Sequence, residues 1–288
     1  MDVRHRCPRV TAVLVLVCCS LYTFAAGRLR GRGDSWPRRR DAVFWLAGAT
    51  LVCSVAVPWN AYLPPFAGHM ARHLGAGMAA PLLVVLARPV TLALRAVPVA
   101  VRRTLVSVTR SRLVAVLAFP PVAAVIDVGG LWLLYRARLP HGVHESPWLY
   151  VHLFAAGTLF TFSVLALDPL RHRAGLPLRA GTLLAAAATH AVLAKSLYVA
   201  GPPGTAYTAA DLHLASQVMY YGGDVVEIGL ALVMAHQWYR AQGRALTRGT
   251  GRERRQPGPP HPVIHTCIPR KAHLGNLGRT AVPPRDGR

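Results

Sequence analysis

The chain has 288 residues, of which 53% are hydrophobic and only 15% are charged, and its mean hydropathy is +0.33. Most charges occupy short runs between apolar stretches, a pattern typical of integral membrane proteins. The formal net charge of +22 raises the question of nucleic-acid binding. The arginines only punctuate apolar segments, however, and leave no soluble basic domain for a duplex, so nucleic acid is excluded as a partner.

The first apolar run, residues 10–26, has features of both a signal peptide and a membrane span. Three arginines precede it, and the small residues Ala25 and Ala26 resemble a cleavage site. The loop that follows holds six arginines, at positions 28, 30, 32, 38, 39 and 40. Under the positive-inside rule this loop is cytoplasmic and the N-terminus external, which favours a retained span.

Six further apolar segments predict membrane-spanning helices. They cover residues 42–63, 69–94, 113–135, 148–167, 180–200 and 211–239. Arginines cluster after the third and fifth spans, whereas the connections at residues 64–68 and 201–210 contain no Lys or Arg. Every short loop therefore obeys the positive-inside rule. The prediction is an all-α, multi-pass protein of the plasma membrane, a bundle of seven transmembrane helices in the lipid bilayer with the N-terminus outside and the C-terminus cytoplasmic.

Residues 241–288 differ from the rest of the chain in composition. They are rich in Arg, Pro and Gly and show no apolar periodicity. We expect a disordered basic cytoplasmic tail, because such a segment cannot bury enough apolar surface to fold. The tail is either simply solvated or bound to an anionic inner leaflet.

The last span carries a polar stripe. His213, Gln217, Tyr220, Asp224 and Glu227 follow one another at steps of four, three, four and three, which return to one helix face. A carboxylate at membrane depth costs at least a few kcal/mol unless it faces protein or water. The stripe is therefore predicted to face the bundle interior. It is either part of a ligand or metal site or a polar seam that holds helices together.

Histidines from three spans share one predicted depth, within two helical turns of the outer face. They are His69, His73, His152 and His213. His69 and His73 are four residues apart, so their imidazoles point the same way. Met70 and Met219 add thioethers, and imidazole with thioether suits copper, especially Cu(I). The sequence predicts an external metal site with copper as its cofactor, while polar packing and pH sensing are the alternatives.

A second group of polar residues falls near the middle of the bilayer. At 1.5 Å per residue, Asp224 and His190 lie about 15 Å from the ends of their helices, and Glu227 follows one turn later. A pair between His190 and Asp224 would relieve the cost of burying both. Asp127 and Lys195, in the outer half, form a second possible ion pair. Such pairs either fix helix register or relay an ion or proton inward.

The chain shows none of the compact motifs that carry catalysis or nucleotide binding. It contains no nucleophile elbow, phosphate loop, nucleotide fingerprint or H-E-x-x-H signature. Its five cysteines include no C-x-x-C pair. Gly222 and Gly223 lie within an apolar helix, where glycines allow close helix contact. An intramembrane metalloenzyme therefore ranks last among the functions considered, and we predict that the protein is not an enzyme.

Two segments of the chain resemble a known family. Span 3 reads His69-Met70-Ala71-Arg72-His73 and continues with APLLVVLARPVTL at residues 80–92. This resembles the CtaG-like family of cytochrome c oxidase assembly factors, the caa(3)-type oxidase group, in which H-M-x-x-H leads into A-P-L-L-V-L-x-x-P-x-T-L. A second family stretch has the form D, seven residues, M, three residues, G-D. It is matched by Asp211, Met219, Gly223 and Asp224.

The resemblance covers residues 46–239 and implies a bacterial plasma-membrane protein that helps build the respiratory terminal oxidase. Its partners would be cytochrome c oxidase subunits. Copper handling is plausible, because a copper centre of such an oxidase faces outward, as the predicted histidine cluster does. The alternative function is a copper or proton transporter that uses the midplane His and Asp residues as a relay.

Overall fold

The computed structural model describes residues 3–138, 146–169 and 173–253, and within these ranges the chain is helical with no strand. The α-helices are α1 (Val3–Gly31), α2 (Arg38–Ala56), α3 (Pro65–His73), α4 (Ala80–Ala87), α5 (Pro89–Ala96), α6 (Val99–Thr109), α7 (Arg112–Leu117), α8 (Pro120–Ala124), α9 (Gly130–Arg136), α10 (Pro147–Leu165), α11 (Leu176–Val199) and α12 (Ala209–Glu253). Two π-helical turns connect α3 to α4 and α8 to α9, at Leu74–Ala79 and Val125–Gly129. The all-α fold class is confirmed.

Within the described residues, five helical segments are long and apolar enough to cross a membrane. They are Arg9–Gly31, Pro65–Ala96, Trp148–Leu165, Leu176–Val199 and Ala209–Arg244. Helix α2 is not among them because it begins with three arginines and an aspartate. The segment from α8 to α9 is short for a bilayer crossing, which takes about 20 residues. The count of seven spans and the orientation of the termini therefore stay predictions.

The predicted span at residues 69–94 is a longer and distorted rod, Pro65–Ala96. Its helix breaks at Arg88, which adopts a left-handed conformation with φ 57° and precedes Pro89. The residue before a proline is disfavoured in the right-handed helical region, which explains the position of the break. Pro81 follows the first π-helical turn, so Pro81 and Pro89 both lie at a distortion of this rod.

Two other predicted spans and one connection differ from what is observed. Helix α2 ends at Ala56, well before residue 63, because Pro58 follows in a short 3₁₀ turn region. The span predicted at residues 113–135 is interrupted between α7 and α8, ahead of two consecutive prolines that cannot donate backbone hydrogen bonds. The arginine-rich connection before it contains α6, a helix with no buried residue.

Helix α1 packs against α2 and α5. The Tyr22 hydroxyl donates to the Ala87 carbonyl at 2.7 Å, and its ring stacks on Phe44 with centroids 4.2 Å apart. Leu29 and Trp36 are buried in the same apolar cluster. The first apolar run is therefore integrated with the rest of the helices by specific contacts.

Two larger apolar clusters hold the remaining helices together. One joins α3, α9, α10, α11 and α12, with Phe66, Tyr135, Leu193 and Met219 fully or almost fully buried. The other joins the opposite ends of α10, α11 and α12 to α4 and the second π-helical turn. The site described below lies between these clusters.

Asp211 joins the start of α12 to the start of α3. Its Oδ2 accepts from the Phe66 amide at 3.0 Å and its Oδ1 from the Ala67 amide at 2.9 Å. The first amides of a helix have no intrahelical partner, and the helix dipole favours a negative charge there. The family-type aspartate at position 211 therefore acts as a helix cap supplied by another segment.

Two more buried charged residues cap helix ends on neighbouring segments. Asp168 accepts from the amide and hydroxyl of Thr91 at the start of α5. Burial raises the pKa of the Asp168 carboxyl, and the hydrogen bonds from Thr91 oppose that shift. The Arg179 guanidinium donates to the carbonyls of Val164 and Leu165 at the end of α10, at 2.9 and 3.0 Å. These charges satisfy helix ends, so no separate site is needed to explain them.

The chain divides into two compact units, Met1–Ala241 and Gln242–Arg288. Helix α12 continues to Glu253, into the segment for which the sequence predicts a disordered tail. The rest of that predicted tail, residues 254–288, lies outside the described residues, as does the part of the α9–α10 connection that contains His144.

Candidate functional site

His69 lies between two tyrosines. Its Nε2 is 3.0 Å from the Tyr135 hydroxyl and its Nδ1 is 3.3 Å from the Tyr150 hydroxyl. The Phe66 ring lies nearly parallel to the imidazole, with centroids 6.2 Å apart. Because both ring nitrogens of His69 are within hydrogen-bonding distance of hydroxyls, a metal could bind only by displacing one of them.

The other three histidines of the predicted external site are in separate surroundings. The His73 ring faces the His190 ring, with centroids 6.2 Å apart. His152 is exposed on α10. His213 stacks on Tyr198 with centroids 3.9 Å apart. The four predicted ligands do not converge, and the described part of the chain contains no group of three or more His, Cys, Asp or Glu that could hold a metal ion.

The predicted thioether ligands are core residues. Met70 and Met219 are both 0% exposed and belong to the apolar cluster around Phe66 and Tyr135. Their side chains pack between α3 and α12, in the same cluster as the ring that stacks on His69. Neither methionine is among the residues that line the internal cavity described below.

The polar stripe of α12 faces the interior along only part of its length. Gln217 is exposed and Asp224 is half-buried, while Glu227 reaches an internal cavity. At 100° per residue, Gln217 and Glu227 lie about 80° apart around the helix. A stripe of that width can have one edge outside and the other edge inside the bundle, so the prediction of a wholly inward stripe was wrong.

A small internal cavity lies where α10, α11 and α12 meet the two π-helical turns. Its volume is about 30 Å³, enough for a water molecule or an ion. Four ionisable side chains line it, namely His73, Asp127, His190 and Glu227. Leu131, Phe160, Leu183 and Leu230 form much of the apolar remainder. Ionisable groups from four helical segments thus meet around one space inside an otherwise apolar bundle.

His190 pairs with Glu227. Its Nδ1 is 3.3 Å from Glu227 Oε1, and the two side chains are 4% and 14% exposed. The sequence predicted a pair between His190 and Asp224, which is one helical turn earlier on α12. The structure assigns the contact to Glu227 instead.

Gly223 allows α12 to approach the His190 ring. A Cβ at position 223 would overlap His190 Cε1 and lie 2.8 Å from its Nδ1. Only glycine leaves room for the imidazole at this contact. This gives a physical reason for the glycine in the second family stretch, and it fixes the ring against the helix that carries Glu227.

Asp127 and Lys195 do not form the ion pair that the sequence suggested. Asp127, in the second π-helical turn, lines the cavity with His73 and His190. Lys195 is exposed on α11, and its Nζ lies 5.2 Å from the centroid of the Tyr220 ring, a cation–π contact. The acid therefore belongs to the internal site and the lysine to the bundle surface.

The imidazoles of His73 and His190 have nitrogens without a protein partner. Both ring nitrogens of His73 and the Nε2 of His190 are buried and have no hydrogen bond in the described part of the chain. The two residues are only 2% and 3% exposed. Buried polar atoms are nearly always paired, so these nitrogens mark a place where a water, a proton or a metal ion fits.

Met78 is a cavity residue that the sequence reading missed. It follows His73 by five positions and lines the same cavity. Five residues make more than one turn of an α-helix, but the π-helical turn at Leu74–Ala79 has i to i+5 periodicity, which brings both side chains to one face. The only signal in the sequence was the small-residue run Gly75-Ala76-Gly77, which predicts no specific periodicity.

The chain is similar to three curated mycobacterial proteins. It is 31% identical over 254 residues to the uncharacterized proteins Mb0105 of Mycobacterium bovis and MT0111 of Mycobacterium tuberculosis, an alignment that covers 78% of this chain and 38% of each relative. It is 28% identical over 246 residues to the uncharacterized protein ML1998 of Mycobacterium leprae, with 77% and 37% covered. The chain therefore spans less than two fifths of the length of these relatives.

No solved structure matches the chain. A family model described as cytochrome c oxidase caa3 assembly factor matches residues 20–241. The matched residues include the H-M-x-x-H segment of α3, the second family stretch from Asp211 to Asp224 on α12 and all the residues that line the internal cavity. The chain belongs to the cytochrome c oxidase caa3 assembly factor family.

Proposed function

We propose that the chain is an integral membrane factor for the maturation of a respiratory terminal oxidase, and that it contributes by handling copper. Family membership supports the assembly role. The observation that supports copper is the pair of buried imidazoles, His73 and His190, with unpartnered nitrogens at an internal cavity. Imidazole is a good copper ligand. The role needs binding and transfer of an ion, and no covalent chemistry by the protein.

The geometry favours copper handling inside the bundle over a site at the external face. His69, the histidine of α3 nearer the predicted outer end of that helix, is engaged by Tyr135 and Tyr150. His73 lies about 12 Å along the helix from Pro65, roughly a third of the way through a bilayer. Copper would then be taken up from the outer side and held within the helices before transfer to an oxidase subunit.

We further propose that the protein crosses the plasma membrane seven times, with the N-terminus outside. The distribution of arginines among the short loops supports this topology. It requires α2 and the α8–α9 segment to cross as well as the five apolar segments. The charged start of α2 would lie at the cytoplasmic surface, where its Asp41 pairs with Arg30 at 2.8 Å.

Deletion of the gene in the organism that encodes it tests the assembly role. We expect the deletion to lower terminal oxidase activity and the copper content of the purified oxidase. The wild-type gene and the variant His152→Ala should restore both, because His152 is exposed and is not among the residues that line the cavity. The double variant His73→Ala, His190→Ala should not. Normal oxidase in the deletion strain would contradict the proposed assembly role.

A copper or proton transporter is the second candidate. It is favoured by the two carboxyl groups, Asp127 and Glu227, that share the cavity with the histidines. Groups of this kind inside a membrane bundle often mark ion or proton pathways. Purified protein in proteoliposomes would then carry protons or Cu(I) across the bilayer, with Glu227→Gln reducing the flux. The absence of any flux above that of protein-free vesicles would reject this candidate.

A further inference from the structure

We propose that the internal cavity is a site for monovalent copper, with His73 and His190 as nitrogen ligands and the Met78 thioether as a third donor. This inference rests on the proposed copper-handling function and names its ligand set. It differs from the external site expected from the sequence in location and in two of its three donors. The following observations carry it, each independent of the family assignment.

The spacing of the two rings fits a shared ion. Two imidazoles that bind one ion in line have centroids about 6 Å apart, because each metal–nitrogen bond is about 2 Å long and each nitrogen lies about 1 Å from its ring centroid. A direct N–H···N hydrogen bond would bring the centroids to about 5 Å, whereas a bridging water, which is bent at its oxygen, would hold them about 6–7 Å apart. The observed distance between the His73 and His190 centroids is 6.2 Å.

Glu227 prepares His190 as a ligand. His190 Nδ1 lies 3.3 Å from Glu227 Oε1, and in the tautomer protonated at Nδ1 the neutral ring carries its lone pair on Nε2. That Nε2 is one of the buried atoms without a partner. A carboxylate that orients a ligating histidine in this way recurs in metal sites and tunes the basicity of the ligand. An ionised Glu227 also balances the single charge of the bound ion.

The surroundings favour a monovalent soft ion over a divalent one. The cost of moving an ion from water into an apolar interior rises with the square of its charge, which favours a monovalent ion in this mostly apolar cavity. Alkali ions prefer oxygen ligands, whereas Cu(I) prefers imidazole and thioether. Met78 lines the same cavity and supplies such a sulfur atom.

The test is an anaerobic Cu(I) titration of the purified full chain in nanodiscs, in competition with a chromophoric Cu(I) chelator. All five cysteines are first replaced by alanine, since thiolates bind Cu(I) tightly. We expect one Cu(I) per chain. X-ray absorption of the loaded protein should show two imidazole nitrogens and one sulfur, which in this background can come only from methionine.

Variants assign the ligands. His73→Ala and His190→Ala should each abolish stoichiometric binding. The controls His152→Ala on α10 and His213→Ala on α12 should bind as the parent does, because neither residue lines the cavity. Met78→Leu keeps the volume of the side chain and should remove the sulfur signal and weaken affinity about tenfold. Glu227→Gln should weaken affinity and retain the nitrogen signal.

Several outcomes would overturn the site. They are no Cu(I) uptake by the parent protein, an absorption spectrum without imidazole scattering, or unchanged stoichiometry in the two cavity histidine variants. The spectrum of the parent protein decides the question even if a variant fails to fold. If a cavity histidine variant loses Cu(I) binding but still supports normal oxidase in cells, the site stands and its role in assembly is rejected. Normal oxidase in the deletion strain rejects the assembly function alone.

Discussion

Buried charged and polar residues of this chain divide into two kinds. Asp211, Asp168 and Arg179 are 3%, 4% and 6% exposed, and each bonds to the end of a neighbouring helix. Their burial cost is offset by amides or carbonyls that have no intrahelical partner. His73 is equally buried but bonds to nothing in the described chain. This contrast is the reason why the proposed site is placed at the cavity and not at the caps.

Gly223→Ala tests the contact between α12 and His190. The added Cβ would overlap the imidazole, so we expect the free energy of unfolding to fall by about 1–3 kcal/mol, as for other overpacked cores. Thermal unfolding in detergent measures the change. The matched control is Gly181→Ala on α11, where a Cβ would meet nothing within 4 Å and the helix should gain up to about 1 kcal/mol. Equal stability of the two variants would mean that α12 does not hold the His190 ring.

The two π-helical turns are the elements that build the cavity. One carries Gly77 and Met78, and the other carries Asp127. Each π-helical turn widens a helix by one residue and rotates the side chains that follow it. At the first turn, Gly157 of α10 approaches the Gly77 carbonyl so closely that a Cβ at position 157 would overlap it. Small residues thus bring α10 against the distorted backbone beside the cavity.

Helix α10 ends in a strained conformation that gives a second prediction. Ala166 has φ 44°, in the left-handed region that favours glycine. We expect Ala166→Gly to stabilise the protein by about 1 kcal/mol, because glycine adopts this conformation without a Cβ clash. A shift in the midpoint of thermal unfolding measures the effect. Ala185→Gly, in the middle of α11, should instead destabilise by about 1 kcal/mol. A loss of stability in both variants would show that the Ala166 methyl contributes more through packing than its conformation costs.

The whole molecule offers a test of its topology that distinguishes seven crossings from five. In both cases the N-terminus is outside and the C-terminus inside, so fusions at the termini cannot decide. Fusions near Tyr62 and within α6 can decide. These two positions lie on opposite sides of the membrane in the two topologies, because α2 and the α8–α9 segment cross only if there are seven spans. Sandwich fusions of alkaline phosphatase and green fluorescent protein should report Tyr62 as external and α6 as cytoplasmic if there are seven spans. The opposite result at both positions would support five.

Exposed apolar side chains surround the helices at the level of the molecule. Leu184, Tyr221, Val225 and Leu232 are among the most exposed, and all lie on the apolar segments of α11 and α12. In water such a surface would be unfavourable, but it is the surface that lipid requires. The buried histidines and acids lie inside the bundle, around the cavity. This apolar exterior supports the membrane assignment that composition alone predicted.

Local patterns determined much of this protein. Hydropathy predicted the helices, and prolines lie where several of them distort, because both properties act within a single segment. The H-M-x-x-H and D–M–G-D stretches identified the family. The His73 and His190 histidines, Glu227 and Asp127 were all recognised as candidate polar residues. What the sequence could not provide was their grouping.

Only the tertiary structure decided which of these side chains meet. Partners depend on the rotation of each helix about its axis and on the distance between axes, and no local pattern encodes either quantity. Asp224 and Glu227 lie on one stripe, yet His190 contacts Glu227 because Gly223 sets its ring against that part of α12. His69 and His73 share a helix face, yet tyrosines engage the first and a cavity receives the second. Met78 lines the same cavity as His73 because a π-helical turn lies between them. The extra residue of such a turn changes the periodicity from which helix faces are predicted.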